Sequence, residues 1–317
     1  MKYITAKNDY GEKETFEKWK GKFYQESDLD QIIHITEDTA IYRPDATLVG
    51  VGIPIAYVIT DAVLDDNITN VLYSVEDSSV MRANCAGPIL PEEMLLKKGL
   101  VEGKDYKLRS PNSYHLKTTS RKWGMIAYSN NIDSVMVGAK RGRFTGKVNI
   151  SNPELFEKLK DLPRYVESAF EKADPEIYGR QKKFAEEYIP ENFRHGMVTT
   201  FSLNRYSAFQ SKAMSVHSDG ADVEYTTMSC HRRGEYSGAF LSFPRRGVGI
   251  DLPHGSAAIA DSKSLHCVTP IHGTGSRYTT VCYTDKSCAT KLKSERFIGK
   301  HAKKESGNLE SFFVKET

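Results

Sequence analysis

From Gly196 onward the chain offers a succession of short runs rich in β-branched and aromatic residues, MVTTFSL, VEYTTMS, AFLSFP, VGIDL, SAAIAD and YTTVCYT, each cut off by Gly, Pro or charged turn residues. Six or more strands of this length at close spacing are the pattern of a sandwich or a jelly roll. With 317 residues the chain can form one large unit or two modest domains. Its 39% apolar, 27% charged and 10% aromatic content excludes a collagenous, low-complexity or wholly disordered chain.

The first half reads differently. Residues 47 to 63, TLVGVGIPIAYVITDAV, read as buried strands broken near Pro54, and a helix is expected after Pro91. Leu155, Leu159, Leu162, Val166 and Phe170 recur at spacings of three and four, the stripe of an amphipathic helix or helix pair. Ser151 or Asn152 can cap it with Pro153 at the first helical position, and Pro163 should kink or restart it. A second helix is expected from Pro175 to Tyr188. No fixed-period repeat is present.

No stretch reaches the roughly 18 to 20 apolar residues that cross a bilayer, so no membrane span is expected. The start, MKYITAKND, lacks a hydrophobic signal region, which gives the expectation of an intracellular setting. Five cysteines, an odd number without a CxxC pair, argue against a disulfide framework or a structural zinc site and are read as buried thiols.

Within the strand-rich half, VHSDG sets His217 and Asp219 two residues apart, and strand alternation would turn both to one face. His266, in KSLHCVTP, follows 49 residues after His217 and can complete a set of two imidazoles and one carboxylate. Such a set suits non-haem Fe(II), because three ligands on one face leave three positions for a bidentate cosubstrate and dioxygen. Arg277 lies eleven residues beyond His266, where its guanidinium can hold a carboxylate in a fork, with Thr279 on the same face adding a hydroxyl. HxD, then H, then R, spaced in this way in a run of short strands, is the pattern of a 2-oxoglutarate- and Fe(II)-dependent oxygenase.

The chain also resembles the TET/JBP group of nucleobase oxygenases, which oxidise the 5-methyl group of 5-methylcytosine or thymine in DNA. MVTTFSLN (Met197 to Asn204) and SGAFLSFPRRGVGIDLPHGSAAIADSKSLHCVTPIHGTGSRYTTVCY (Ser237 to Tyr283) carry the similarity, HCVTP above all. RANCAG (Arg82 to Gly87), MIAYSNNID (Met125 to Asp133) and the helical stretch to about Gln181 extend it, so that it spans roughly residues 50 to 285. The group usually has a Gly pair where this chain has Gly238-Ala239, a His-Gly where it has His266-Cys267, and an Asn-Arg-Gly-like run at Asn84-Cys85-Ala86.

The resemblance implies an α+β chain, a double-stranded β-helix (jelly roll) core with flanking N-terminal helices and strands. The expected division is an extension over 1–45, a dioxygenase domain over 46–285 with its core at about 196–285, and a basic, then polar, tail over 286–317. Fe(II), 2-oxoglutarate and O2 are the implied cofactors, with Arg277, Thr279 and Lys212 on the cosubstrate. DNA is the implied partner, its base flipped out or single-stranded, because a duplex hides the reacting group. Asn130, Asn131 and Asp222 are candidates for contacting the base; an ionised Asp222 would accept from the cytosine amine and repel thymine O4.

Arg141, Arg143, Arg232, Arg233, Arg245 and Arg246, in basic turns with Lys140 and Lys147, are candidates for the DNA backbone. Lys plus Arg total 44 against 41 acidic residues, a net charge of only +3, so basic turns imply compensating acidic regions and a polarised surface. The rival readings are an oxygenase of a free nucleoside, small metabolite or protein side chain, and a DNA-binding module with a degenerate metal site.

Overall fold

The computed structural model describes residues 1–44, 54–74, 80–81, 106–110, 113–116, 130–132, 158, 161–189, 191, 194–207, 214, 216–220, 222–286 and 289. In chain order the elements are β1 (Lys2–Thr5), α1 (Glu12–Trp19), β2 (Gln31–His34), β3 (Thr39–Tyr42), β4 (Ala56–Ile59), α2 (Asp66–Ser74), β5 (Val80–Met81), β6 (Tyr106–Ser110), β7 (Ser113–Leu116) and β8 (Asn130–Ile132). They continue with α3 (Leu162–Ala173), α4 (Pro175–Tyr188), β9 (Thr200–Ser207), β10 (Tyr225–Arg233), β11 (Tyr236–Gly238), β12 (Leu241–Phe243), β13 (Val248–Asp251), β14 (Ser256–Asp261), β15 (Cys267–Val268), β16 (Ile271–Gly273) and β17 (Ser276–Tyr283). This is a mixed α+β fold, and no helix of the described residues is long and apolar enough to cross a membrane.

A nine-stranded sheet, ordered β1-β3-β4-β14-β10-β17-β9-β8-β5, forms the centre. One face packs on a four-stranded sheet, β15-β12-β13-β2, through Ile41, Val58 and Ala258 against Ile33, Leu241, Phe243 and Ile250. The other face is covered by α2, α3 and α4. Leu162, Val166, Ala169 and Phe170 lie on one stripe of α3 and pack with Tyr57, Tyr225 and Ile259 of the sheet. A helix of this length is marginal in isolation, so packing decides its stability. Each large apolar side chain fully buried here contributes about 1.5–3 kcal/mol.

The expected helix from Pro175 to Tyr188 is present with those bounds. The Asp174 carboxylate accepts the Ile177 N–H at 2.9 Å, satisfying one of the amides a helix start leaves open, and Pro175 occupies the first position. Pro163 sits in the first turn of α3, a restart rather than a kink. Its expected cap at Ser151 or Asn152 lies outside the described residues, as does the helix after Pro91. The strand runs read from the sequence correspond to β9, β10, β12, β13, β14 and β17. Cys230, Cys267 and Cys282 are buried free thiols, while Cys85 and Cys288 lie outside the described residues.

The first 44 residues contribute strands to both sheets. β1 runs parallel to β3 at one edge of the large sheet, and β2 runs parallel to β13 in the small one, so this segment is woven into both layers. The tail over 286–317 lies almost wholly outside the described residues.

Strand β10 turns His231 toward α2. The imidazole is fully buried, shares a 3.2 Å hydrogen bond with the Thr69 hydroxyl, and meets the His254 ring edge-on at 5.6 Å. Burial, reinforced by His254, lowers its pKa from 6.5 to about 4. The folded state therefore refuses a proton that the unfolded chain accepts, and stability is lost as pH falls from 6.5 toward 4, by roughly 3 kcal/mol over the window. His231→Gln is expected to flatten this loss. Urea unfolding of both proteins at pH 7.5, 5.5 and 4.5 checks it, since the difference between them isolates the imidazole from other titrating groups.

Candidate metal centre

The segment before β10 and the approach to β15 are joined at one point. His217 N–H donates to the His266 carbonyl and His266 N–H returns the bond, both at 2.9 Å, so the two residues form an isolated antiparallel bridge. Their rings lie 4.3 Å apart, centroid to centroid. The chain then turns, held by Asp219 N–H on the Ser262 carbonyl at 2.8 Å and Asp222 N–H on the Asp219 carbonyl at 3.2 Å. This turn brings Asp219 Oδ2 to 3.7 Å from His217 Nε2 and 3.4 Å from His266 Nε2. Bridge and turn, rather than the alternation of a continuous strand, thus unite the triplet.

His266 Nδ1 lies 2.9 Å from the Ser264 carbonyl. A carbonyl only accepts, so the proton belongs on Nδ1 and the lone pair on Nε2, toward Asp219. Burial opposes charge on His266, but the Asp219 carboxylate and the Ser264 carbonyl outweigh it and raise the pKa. One ligand atom from each of His217, Asp219 and His266 lies within 4.8 Å of the others. Two imidazoles and a carboxylate in this cluster fit a divalent transition metal.

From this cluster a cavity of 280 Å³ runs between the sheets to β9 and β17. Arg277 and Thr279 project into it from one face of β17, as alternation requires, and the β17–β9 register sets them opposite Tyr206 and Asn204. Arg277 is only 1% exposed. One guanidinium nitrogen donates to the Ala239 carbonyl at 2.5 Å, while Nε is buried without a hydrogen-bond acceptor among the described residues. Thr279 Oγ1 and Asn204 Oδ1 are likewise buried without a protein partner. A charged group held this way is costly unless an anion completes it. Nearer the metal cluster, Asp222 and Asp285 line the cavity at 5% and 1% exposure. Burial first, then the Asp219 carboxylate, push the Asp222 pKa up to about 7, although the Thr226 hydroxyl donates to it at 2.7 Å.

Asn204, Tyr206 and Asp285 were not singled out in the sequence. Alternation along β9 opposite Arg277 and Thr279 is the signal for the first two, legible only once the pairing is known. Asn130 and Asn131 lie on β8, whose backbone pairs them with Arg205 and Asn204. Lys140, Arg141, Arg143, Lys147 and Lys212 lie outside the described residues.

The other basic turns are engaged within the fold. Arg232 donates to Asp251 at 3.0 Å and lies over the Tyr236 ring, and exposed Arg233 lies over Tyr73. Arg245 reaches Asp9 at 3.1 Å and Glu12 at 3.3 Å. Arg246 is 4% exposed and ion-paired with Asp9, so its guanidinium is an internal group and not the surface phosphate contact expected of it.

No protein-family model and no curated protein matches the chain. Among solved structures it is similar to NgTET1 in complex with 5mC DNA, at 10% identity and a TM-score of 0.47, over 82% of each chain. It is also similar to an oxidoreductase of the 2OG-Fe(II) oxygenase family from Burkholderia pseudomallei, at 12% identity and a TM-score of 0.32, over 68% of this chain and 90% of that one. A third similarity is to a prolyl hydroxylase from Trichoplax adhaerens in complex with a hypoxia inducible factor peptide, at 12% identity and a TM-score of 0.40, over 74% and 86%.

The geometry predicts one tight site for Mn(II) or Co(II), measurable by calorimetry. His217→Ala and Asp219→Ala should each lower the affinity by about 100-fold or more while far-UV circular dichroism stays unchanged, since even the partners of ligands contribute about 10- to 100-fold. Affinity should also fall as pH drops through the raised His266 value, because protons compete with the metal for Nε2.

Proposed function

We propose that the chain is a 2-oxoglutarate- and Fe(II)-dependent oxygenase built on a jelly-roll core, and that it hydroxylates the 5-methyl group of a pyrimidine in DNA. The observation that carries the oxygenase reading is Arg277, a buried cation whose Nε lacks an acceptor in a cavity that ends at the His217, Asp219 and His266 cluster. The strand order supports the core. β9, β17, β10 and β14 are neighbours in the large sheet, and the His217 bridge, β15, β12 and β13 follow one another in the small layer. Successive segments thus cross between layers as they do in a jelly roll.

In this reading His217, Asp219 and His266 hold Fe(II), which supplies the activation of dioxygen. Arg277, with Thr279, Asn204 and Tyr206, binds the far carboxylate of 2-oxoglutarate and fixes its keto acid end toward the metal. Met228, Leu241 and Val268 line the cavity between these poles and keep water from it. Asp222 holds its carboxyl group in the cavity wall, where it meets the edge of the substrate.

The DNA substrate rests on the sequence resemblance over residues 50 to 285 and on Asp222 facing the cavity. A free nucleoside, small metabolite or protein side chain is the second reading, favoured by Arg232 and the buried Arg246 being tied to Asp251 and Asp9. An intracellular setting goes with either.

Incubating the iron-loaded protein and 2-oxoglutarate with oligonucleotides carrying 5-methylcytosine or thymine, followed by mass spectrometry of the nucleosides, should yield an oxidised base. No oxidised base from either, with succinate release stimulated by another compound, would replace the DNA reading with the second one. Arg277→Lys loses the fork of donors and should raise the 2-oxoglutarate requirement by about 10- to 100-fold, the worth of a charge-assisted hydrogen bond. An unchanged requirement would remove Arg277 from the cosubstrate site.

A further inference from the structure

Behind the metal loop lies a second cleft, of 340 Å³, within the range of small-molecule sites. Its wall includes Ser218, which stands between two of the metal-cluster residues, and Ser264, whose carbonyl orients His266. Ser218 and Asp261 line this cleft and the metal cavity alike, so the two spaces lie on either side of one loop.

Charged groups of both signs line the cleft. Arg43, Arg180, Arg245 and Lys263 line it against Glu12, Glu224 and Asp261. Two of these acids are occupied within the fold. Glu224 takes the Arg180 fork at 2.9 and 3.1 Å, and Asp261 accepts the Lys263 N–H at 2.9 Å and the Ser264 hydroxyl at 2.8 Å. Glu12 reaches Arg245 with a side chain 82% exposed, a solvent-screened pair that a stronger anion displaces at little cost. Asp9 is shared between Arg245 and the buried Arg246 beside the cleft. Arg43 and Arg245 both add positive potential at Arg246, whose pKa burial already lowers.

Two further features point to the ligand. Thr15, 2% exposed, lines the cleft with a hydroxyl that has no partner among the described residues, a buried polar atom open to a ligand. Phe16, the next residue, also lines the cleft; its ring is 43% exposed and carries the Lys20 ammonium 4.1 Å from its centroid. Guanidinium groups beside a partly exposed aromatic ring match one chemistry, a phosphate joined to a planar base.

We propose that this cleft binds a nucleotide unit, with its phosphate on Arg43 and Arg245, its base on Phe16, and Thr15 bonding to it. The unit is supplied by a free nucleotide or by one position of a nucleic acid strand. The proposal does not rest on the oxygenase reading, because it concerns binding to protein free of metal.

The test is calorimetry and fluorescence anisotropy on the full chain without metal, using adenosine monophosphate, inorganic pyrophosphate and an unmodified oligo-dA strand. Arg43→Gln and Phe16→Ala are expected to weaken nucleotide binding by about tenfold or more, in line with about 1–3 kcal/mol per stacked base. Lys2→Gln, a remote exposed cation paired with Glu37, should leave binding unchanged. Thermal midpoints confirm that each variant folds, and Thr15→Val serves as a further variant if either fails to. Sensitivity to the two substitutions with adenosine monophosphate assigns a free nucleotide, and the same sensitivity with oligo-dA alone assigns a strand. The proposal is overturned if neither probe binds, if Arg43→Gln is no weaker than Lys2→Gln, or if pyrophosphate binds as tightly as adenosine monophosphate and Phe16→Ala changes nothing.

Discussion

A guanidinium withdrawn from water sets the terms for the site. Arg277 sits on β17, which is paired on both sides, to β10 and to β9, and so cannot move outward to expose its charge. The carbonyl it donates to, that of Ala239, is delivered by a tight turn in which Gly238 and Ala239 both take positive φ, 75° and 54°. A Cβ at Gly238 would collide with the Pro270 carbonyl, so glycine is required there. Ala239 has no such excuse and stands where an L-residue is strained by roughly 1–2 kcal/mol. Its N–H is held by the Pro270 carbonyl at 2.7 Å, which fixes the carbonyl on the other side toward Arg277. A strained turn and a buried cation whose Nε has no acceptor among the described residues are costs that the core alone does not explain, and an anionic ligand in the cavity would resolve the second.

The opposite end of the cavity is assembled by backbone rather than by side-chain packing. The reciprocal His217–His266 bridge sets two imidazoles side by side, and amide bonds to Ser262 and from Asp222 fix the turn that returns Asp219 to them. HxD therefore works as a bridge residue, an outward residue and a turn residue. The outward one, Ser218, faces the second cleft as well, so a change in either space is felt by the same short loop.

Much of this was legible in the sequence because the signals were local. β-branched runs between turn residues marked six strands, the Asp174-Pro175 pair marked the start of α4, and HxD, H and R marked four residues that the fold gathers around one cavity. What was not legible depends on partners far along the chain. β1 and β2 are four-residue strands that are stable only because β3 and β13 pair with them, and no periodicity over so few residues could separate them from a loose extension. Arg245 and Arg246 looked like a solvent-facing turn because their counter-ion, Asp9, is more than two hundred residues away. Asn204 and Tyr206 became site residues only through the β9–β17 register.

Charge balance ties these pieces together. Asp219, Asp222 and Asp285 gather at one end of the cavity and Arg277 at the other, so the space is polarised along its length. Burial, and then the neighbouring carboxylates of Asp219 and Asp285, push the Asp222 pKa up to about 7. A dication among His217, Asp219 and His266 reverses that logic, because a positive charge at this distance favours the ionised carboxylates. The same ion and Arg277 would then present positive charge at both ends of the cavity, an arrangement that suits a short dianion laid between them.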